Sequence, residues 1–436
     1  VDSLEKGKIP LLEIPLPFRE ARLNMSMEWP KTEPGSGKSG RVTKACQWPV
    51  RQENHFSFKL PEKTDINIEQ LSFSRGHSDF LLNGMVHLDE QGNMHGSLNQ
   101  ASRQLQLSDI FPLPKKRYTL SMRLEKLRPY LLGQEISFTS HIGRYIGWNM
   151  DVRDLNCQAT VVNNRLNIKS LTGSVWEGTG TLNGDWELDQ DMFSVMIDLQ
   201  QINLAQFNHS LALYNEKSLP LEGMGNVNLD IAWSGSDVQS WRRNLNGKVH
   251  FSFVEGRLKR FPVLANIASL LNVHQLLTFH LPDLSEGVPY HSLDGSLQIK
   301  DGVMSTDDFL LLGPAVNISA GGSISLPDRR VDMEVGVQPL QAIDKAIAAV
   351  PVVGYIVTGE GKTLIVMRYS VRGPFGKTVV KAIPVRGLLQ KTGGILKRLI
   401  TTPVRILRWP EKMFSPKEKK TPGAPEASGT TEDKKP

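Results

Sequence analysis

The chain is poor in the residues on which chemistry is usually built. Its 436 residues include two cysteines, Cys46 and Cys157, far apart and without a CxxC pair or a neighbouring His, which argues against a disulfide framework and a cysteine zinc site. The ten His residues form no HExxH or HxH pair, and no GxSxG elbow offers a nucleophile on a strand-to-helix turn. Acid pairs such as Asp307 and Asp308 are adjacent, so on a strand they point to opposite faces and cannot act on one bond; they read as solvated turn residues. No run of about 18 apolar residues is long enough to cross a bilayer as a helix. The chain opens on Val1 rather than Met and lacks a signal peptide, so it is expected to be part of something longer. No catalytic residue, metal ligand or cofactor follows from this inventory, and the chain is read as not an enzyme.

Basic charge is also scarce outside one end. Of the net +6, residues 381–436 hold 13 Lys or Arg against 5 Asp or Glu, or +8, which leaves −2 on residues 1–380. A nucleic-acid binder needs cations spread over its folded face, because phosphate neutralisation supplies most of the affinity, so no nucleic-acid partner is expected. GEGKT at Gly359–Thr363 imitates a phosphate-binding loop, yet that loop requires Gly where Ile356 stands. The flanking apolar runs suit a Gly-rich hairpin instead.

What the chain has in quantity is alternation. With 37 Gly, 26 Pro and 39% hydrophobic residues, it favours many short strands joined by turns. Phe193, Val195, Ile197 and Leu199 alternate with polar neighbours, as do Val227, Leu229, Ile231 and Trp233. Two further runs are Val331, Met333, Val335 and Val337, and Ile365, Met367, Tyr369 and Val371. A period of two places one apolar and one wet face on each strand. Trp176, Trp186 and Trp233 could stack on sugars, but at alternating strand positions core packing is the plainer reading.

A weak repeat accompanies the alternation. FLLNGMVHLDEQG from Phe80, GTLNGDWELDQDM from Gly180 and ISAGGSISLPDRR from Ile318 each read strand, Gly (84, 184, 322), strand, polar turn. The spacing is uneven, as in a β array with insertions rather than a fixed-period solenoid. Two helices are predicted: one from about 261 to 277 with Leu264, Ile267, Leu270 and Leu271 on one face, and one from Gln341 to Val350 that stops at Pro351. So few helices cannot cover so many one-sided strands, which must bury their apolar faces on another sheet or on a ligand.

Beyond Ile383 the period becomes helical. Leu388, Leu389, Ile395, Leu396, Leu399 and Ile400 share a stretch with Lys391, Lys397 and Arg398; past Pro403 come Arg405, Arg408 and Trp409. This basic amphipathic segment, 385–410, is suited either to a membrane surface or to plugging the end of the β assembly. The tail, 411–436, is expected to be disordered, since from Ser415 onward hardly an apolar residue remains.

Residues 221–384 resemble the C-terminal region of the AsmA-like family of Gram-negative envelope proteins. The likeness rests on an ordered series: LEGMGNVNLDIAWSG; NLNGKVHFSFVEGRLKRFPVLANIASLLN; SLDGSLQIKDGVMSTDDFLLLGPAVNISAGGSISLPDRRVDMEVGVQPL; and VPVVGYIVTGEGKTLIVMRYSVRGP. The family resemblance implies an elongated, twisted, half-open β-groove whose apolar trough shields phospholipid acyl chains between inner and outer membranes. It further implies a periplasmic place in the cell envelope, an inner-membrane anchor in the full-length protein that this chain lacks, and possible envelope protein partners.

On that reading the domain plan is β repeats over 1–140 and 141–220, then the groove region 221–384, then the basic segment. The rows named above would line the groove with Val249, Phe251, Phe253, Val316, Ile318, Ile324 and Leu326. An alternative role is assembly of outer-membrane proteins through the sheet edge. A carbohydrate-active sandwich is a third reading, which would require two carboxylates at catalytic separation. Periodicity alone does not separate an open groove from a closed sandwich.

Overall fold

The computed structural model describes residues 20–29, 40–48, 64–110, 127–147, 149–211, 221–235, 237–259, 287–340, 354–359 and 362–383, with only the backbone of 20–29, 40–48, 110, 211, 339, 354–359 and 362–365. The first five strands are β1 (Glu20–Trp29), β2 (Gly40–Trp48), β3 (Asp65–Arg75), β4 (Ser78–Leu88) and β5 (Met94–Gln106). The middle of the chain supplies β6 (Glu135–Gly147), β7 (Met150–Val162), β8 (Arg165–Val175), β9 (Gly178–Glu187), β10 (Met192–Asn203), β11 (Leu221–Ser234) and β12 (Asn246–Leu258). Then follow β13 (Val288–Lys300), β14 (Val303–Leu312), β15 (Val316–Ser325), β16 (Arg330–Pro339), β17 (Gly354–Gly359), β18 (Lys362–Pro374) and β19 (Val379–Ala382).

All nineteen belong to one sheet. β1 lies between β2 and β3, and from β3 to β16 each strand pairs with its successor in the chain. β18 continues the ladder from β16, its first half pairing with β17 and its second with β19. Among the described residues no pairing joins the β2 end to the β18 end, so the sheet is open. Strands about 4.8 Å apart make this ladder on the order of 80 Å long. The sheet runs without a break in pairing across positions 140 and 220. Gly359 faces Lys362 in the β17–β18 register, as expected of a hairpin at the false phosphate loop. The helices predicted at 261–277 and 341–350, and everything past 383, lie outside the described residues.

Local chemistry explains the hairpins. Asn163 and Asn164 (φ 51° and 56°) turn β7 into β8, and Asp301 and Gly302 (φ 49° and 73°) turn β13 into β14. Two left-handed residues match the right-handed twist of the flanking strands, and Asn, Asp and Gly adopt them most easily. Trp176 packs against the main core cluster, as the sequence reading has it, but not from a strand. It is in the β8–β9 turn at φ 51°, its indole Nε1 donating to Ser210 Oγ (2.8 Å) and its ring edge-on to Phe207, both from the helix Leu204–Leu211. The helix thus holds a bulky side chain in a conformation that it would not choose alone.

Asp307 and Asp308 likewise are in strand β14, not in a turn. The register slips there, and Asp308 accepts the Ser296 backbone N–H (2.7 Å), tying β13 to β14 across the irregularity. Other slips, at Ile68/Leu71, Ile168/Leu171 and Leu199/Ile202, bend their strands and add twist.

Among the described strands one junction breaks the antiparallel rule: β5 and β6 are parallel. A parallel pair cannot be closed by a hairpin, so a longer connection joins Gln106 to Glu135. Its two ends are the short helix Leu107–Ile110 and a helical turn at 127–131.

Candidate functional site

Register converts the alternation of single strands into rows that cross the whole sheet. One row passes from Leu98 through Phe138, Ala159, Ile168, Gly184, Val195, Ile231, Gly247, Ile299, Met304 and Ile324 to Val331, each paired with the next on the neighbouring strand. A second joins Leu182, Ile197, Leu229, Val249 and Leu297. A third joins Leu199, Val227 and Phe251, and a fourth Phe253, Leu293, Leu311, Ile318, Val337 and Met367. Towards the far end, Met333 faces Val371, and Val335 faces Tyr369. The two-residue period therefore puts the apolar side chains of successive strands on one face, as a continuous hydrocarbon surface.

The opposite face is wet. Arg165 pairs with Asp185 (2.9 Å), Lys248 with Asp230 (3.6 Å) and Arg372 with Asp332 (2.8 Å). Such exposed pairs add about 0–1 kcal/mol each, so their main effect is to keep that side in water.

The side chains proposed from sequence fall into two environments. Val195, Ile197, Leu199, Val227, Leu229, Ile231, Trp233, Val249, Phe251, Ile324, Leu326, Val331 and Met333 are half-buried. Phe193, Phe253, Val316, Ile318, Val335, Val337, Met367, Tyr369 and Val371 are buried. Ile365 occupies a β18 position opposite Ile356, and its side chain lies outside the description. From β13 onward, Met304, Ile324, Val331 and Met333 are half-buried, but around Leu293, Leu311, Ile318, Val337 and Tyr369 the apolar face is closed: Leu311 is 0% exposed, and one cluster extends from Ile202 to Val371. There the reverse face is covered too, since Ser319, Gln338, Val366 and Arg368 are buried. Burial pushes the Tyr369 hydroxyl up to about 12, which keeps it neutral. The trough is thus more open along Val195, Ile231, Met304, Ile324 and Val331, and shut around Leu311 and Tyr369.

Sequence reasoning missed the lining of β4–β8. Val86, Leu98, Ile136, Phe138 and Val161 carry the same face, although alternation in EISFTSHIG signals it. It also missed a polar interruption. Gln100 and Ser102 are buried on the apolar side of β5, where Gln100 Nε2 donates to Ser102 Oγ (2.7 Å), Ser102 Oγ to the Asp79 carbonyl (2.6 Å), and Ser140 Oγ to Gln100 Oε1. Cys157 sits opposite Ser140 as a half-buried free thiol, raised by burial. Nothing in composition distinguishes these inward polar residues from outward ones.

At the β11–β13 lip a recess of about 370 Å³ is lined by Glu222, Glu255, Arg257, Tyr290 and His291 among others. It is small and polar beside the trough. Among the described residues no group of three or more His, Cys, Asp or Glu is placed to hold a metal ion, and no helix is long and apolar enough to cross a membrane. The residues proposed for membrane contact, Lys391, Lys397, Arg398, Arg405, Arg408 and Trp409, lie outside the description.

Comparison with known proteins points the same way. The family model described as YhdP protein matches residues 47–380, well beyond the stretch in which the sequence resemblance was read. The intermembrane phospholipid transporter YhdP of Escherichia coli (strain K12) is 31% identical over 166 residues, which are 34% of this chain and 13% of that protein. No solved structure matches.

Proposed function

Because the chain belongs to the YhdP family, we propose that it forms part of a conduit that carries phospholipid between the membranes of the cell envelope. The observation that carries this reading is the row from Leu98 to Val331, an apolar path perpendicular to the strands and unbroken over twelve of them. Each acyl CH₂ kept from water is worth about 0.8 kcal/mol, and successive strands along a row are only about 4.8 Å apart. A lipid can therefore advance along the trough with its tails continuously covered and its headgroup outside. The activity is carriage rather than catalysis.

The finer parts of the reading are a periplasmic location, an inner-membrane anchor elsewhere in the full-length protein, envelope protein partners, and contact of the 385–410 segment with a membrane surface. Their support is the family likeness and the Lys, Arg and Trp content of that segment. Lipid extraction and mass spectrometry of the purified chain tests the central claim. Phospholipid should co-purify in near-stoichiometric amount, and a lipid-free chain that also takes up none from vesicles would overturn it.

A further inference from the structure

At one lip of the trough, three rings of adjacent strands stack: Trp186 on Phe193 with centroids 5.3 Å apart, and Phe193 on Trp233 at 5.0 Å. Register places this ladder on the apolar face, in line with Val161 and Leu166. A ring facing an open trough would be accessible, yet Trp186 is 5% and Phe193 8% exposed. Part of their cover is a segment outside the sheet: Leu131 and Leu132, from the helical turn at the end of the β5–β6 crossover, pack against this cluster.

Three features mark the cover as a stand-in. The Trp186 Nε1–H is buried and has no hydrogen-bond partner among the described residues. Tryptophan inside a protein normally finds an acceptor, and an apolar plug supplies none. The turn also presents Leu127 and Tyr130 to solvent, 51% and 50% exposed, so it is apolar on both sides. Finally, among the described residues its one ion pair is Arg128 Nη1 to the Asp191 carboxylate (3.1 and 3.2 Å), beside a weaker contact from Arg128 Nη2 to the Asp189 carbonyl (3.5 Å) and the Gly133 N–H donated to Asn164 Oδ1 (2.8 Å).

We propose that the Trp186–Phe193–Trp233 ladder is an acyl-ester binding site occupied here by the chain's own Leu131 and Leu132. A glycerophospholipid displaces the two leucines, lays a tail over the rings, and offers an ester carbonyl to the Trp186 indole N–H. This rests on reading the trough as a lipid path, and makes the turn a plug that withdraws when lipid arrives.

The test uses the full chain with vesicles of phosphatidylcholine brominated in mid-chain, which quenches nearby tryptophan. Subtracting the signal of Trp186→Phe isolates the Trp186 share. Breaking a half-exposed ion pair shifts such an equilibrium about fivefold, so Arg128→Ala and Asp191→Asn should each raise Trp186 quenching by about that factor. Leu131→Ala with Leu132→Ala should raise it further, and thermal unfolding checks that all variants remain folded. An ether-linked brominated lipid, which has no ester carbonyl, should quench Trp186 less than the ester lipid.

Equal Trp186 quenching in the parent and all three folded variants, with the other tryptophans still quenched, overturns the plug and leaves the lipid path standing. Equal quenching by ester and ether lipids overturns the carbonyl assignment. If bromolipid neither quenches any tryptophan nor elutes with the chain, the lipid path itself fails.

Discussion

A charge placed in the middle of an apolar row should stop lipid without unfolding the protein, and Leu229 is the position at which the two effects separate. Leu229 lies between Ile197 and Val249 on the open stretch of the trough and is half-buried. Leu229→Glu therefore forfeits only part of a leucine's burial, about 1 kcal/mol, and its carboxylate can stay partly hydrated when the trough is empty. With lipid present the balance changes. About four methylenes pass over one such position, so leaving them uncovered costs about 3 kcal/mol, and covering them strips water from an unpaired carboxylate at a cost of several kcal/mol. Either way occupancy across this row should fall about 100-fold, while the midpoint of thermal unfolding moves only a few degrees. The assay is phospholipid per chain by extraction and mass spectrometry, paired with transfer of a fluorescent phospholipid between vesicles. Asn228→Asp adds the same charge one residue away on the wet face and should leave both readings unchanged. Parental lipid content in folded Leu229→Glu would refute the idea that the row is the path.

Three other substitutions probe the frame. Leu311→Ala empties a fully buried site in the closed part of the sheet and should destabilise by about 2–5 kcal/mol, read from chemical denaturation. Gly322→Val forces a side chain at φ 137° into the Asp332 carbonyl of β16 and should cost about 2 kcal/mol or more, with lower thermal stability than Gly322→Ala. His95, on β5, has Nε2 3.2 Å from Asp89 and Nδ1 3.1 Å from Glu135 of β6, an arrangement only the doubly protonated ring can satisfy. Its bond to Asp89, together with Glu135 and against some desolvation, raises its pKa above 6.5, so its stabilising effect is whole below pH 6.5 and is lost as pH rises through the folded value. Burial opposes ionisation of Asp89, but the Asn93 N–H and side chain, His95 and the Gln91 N–H hold it at about 2, so its contribution fades only as pH falls from 3.8 towards 2. Melting curves from pH 5 to 8.5 should therefore decline on the alkaline side, and His95→Gln should flatten that limb.

The fold class and much of the trough could be read from the sequence because both depend on a period. Val227, Leu229, Ile231 and Trp233 announce a one-sided strand whatever follows them. The repeats were legible for a related reason: Gly84 and Gly322 each precede a partner strand whose backbone comes too close for a Cβ, at Ser97 and Asp332. What stayed hidden depends on which strands meet. Gln100, Ser102 and Ser140 look like outward polar residues until the parallel β5–β6 register sets them together on the apolar side. Trp176 reads as strand core, and only the contacts from Ser210 and Phe207, some thirty residues on, reveal a turn. The exposure of a row is equally invisible, since Leu229 and Val337 alternate in the same way but one is half-buried and the other buried.

A path made of rows also explains why no motif marks it. A nucleophile or a metal ligand must be one residue type at one place, whereas a hydrocarbon surface needs only apolar side chains of the right parity, so Val195 can be followed by Ile231, a glycine and Ile299 without loss of continuity. Selection then acts on register more than on identity. A one-residue slip in any strand between β4 and β16 would turn its whole apolar set to the wet side and cut every row at once. The positions held most tightly should be those that fix register: the left-handed pairs Asn163–Asn164 and Asp301–Gly302, and the glycines at which strands crowd. Substitutions among Val, Ile, Leu and Phe should leave the path intact, while a single charge such as that in Leu229→Glu should not.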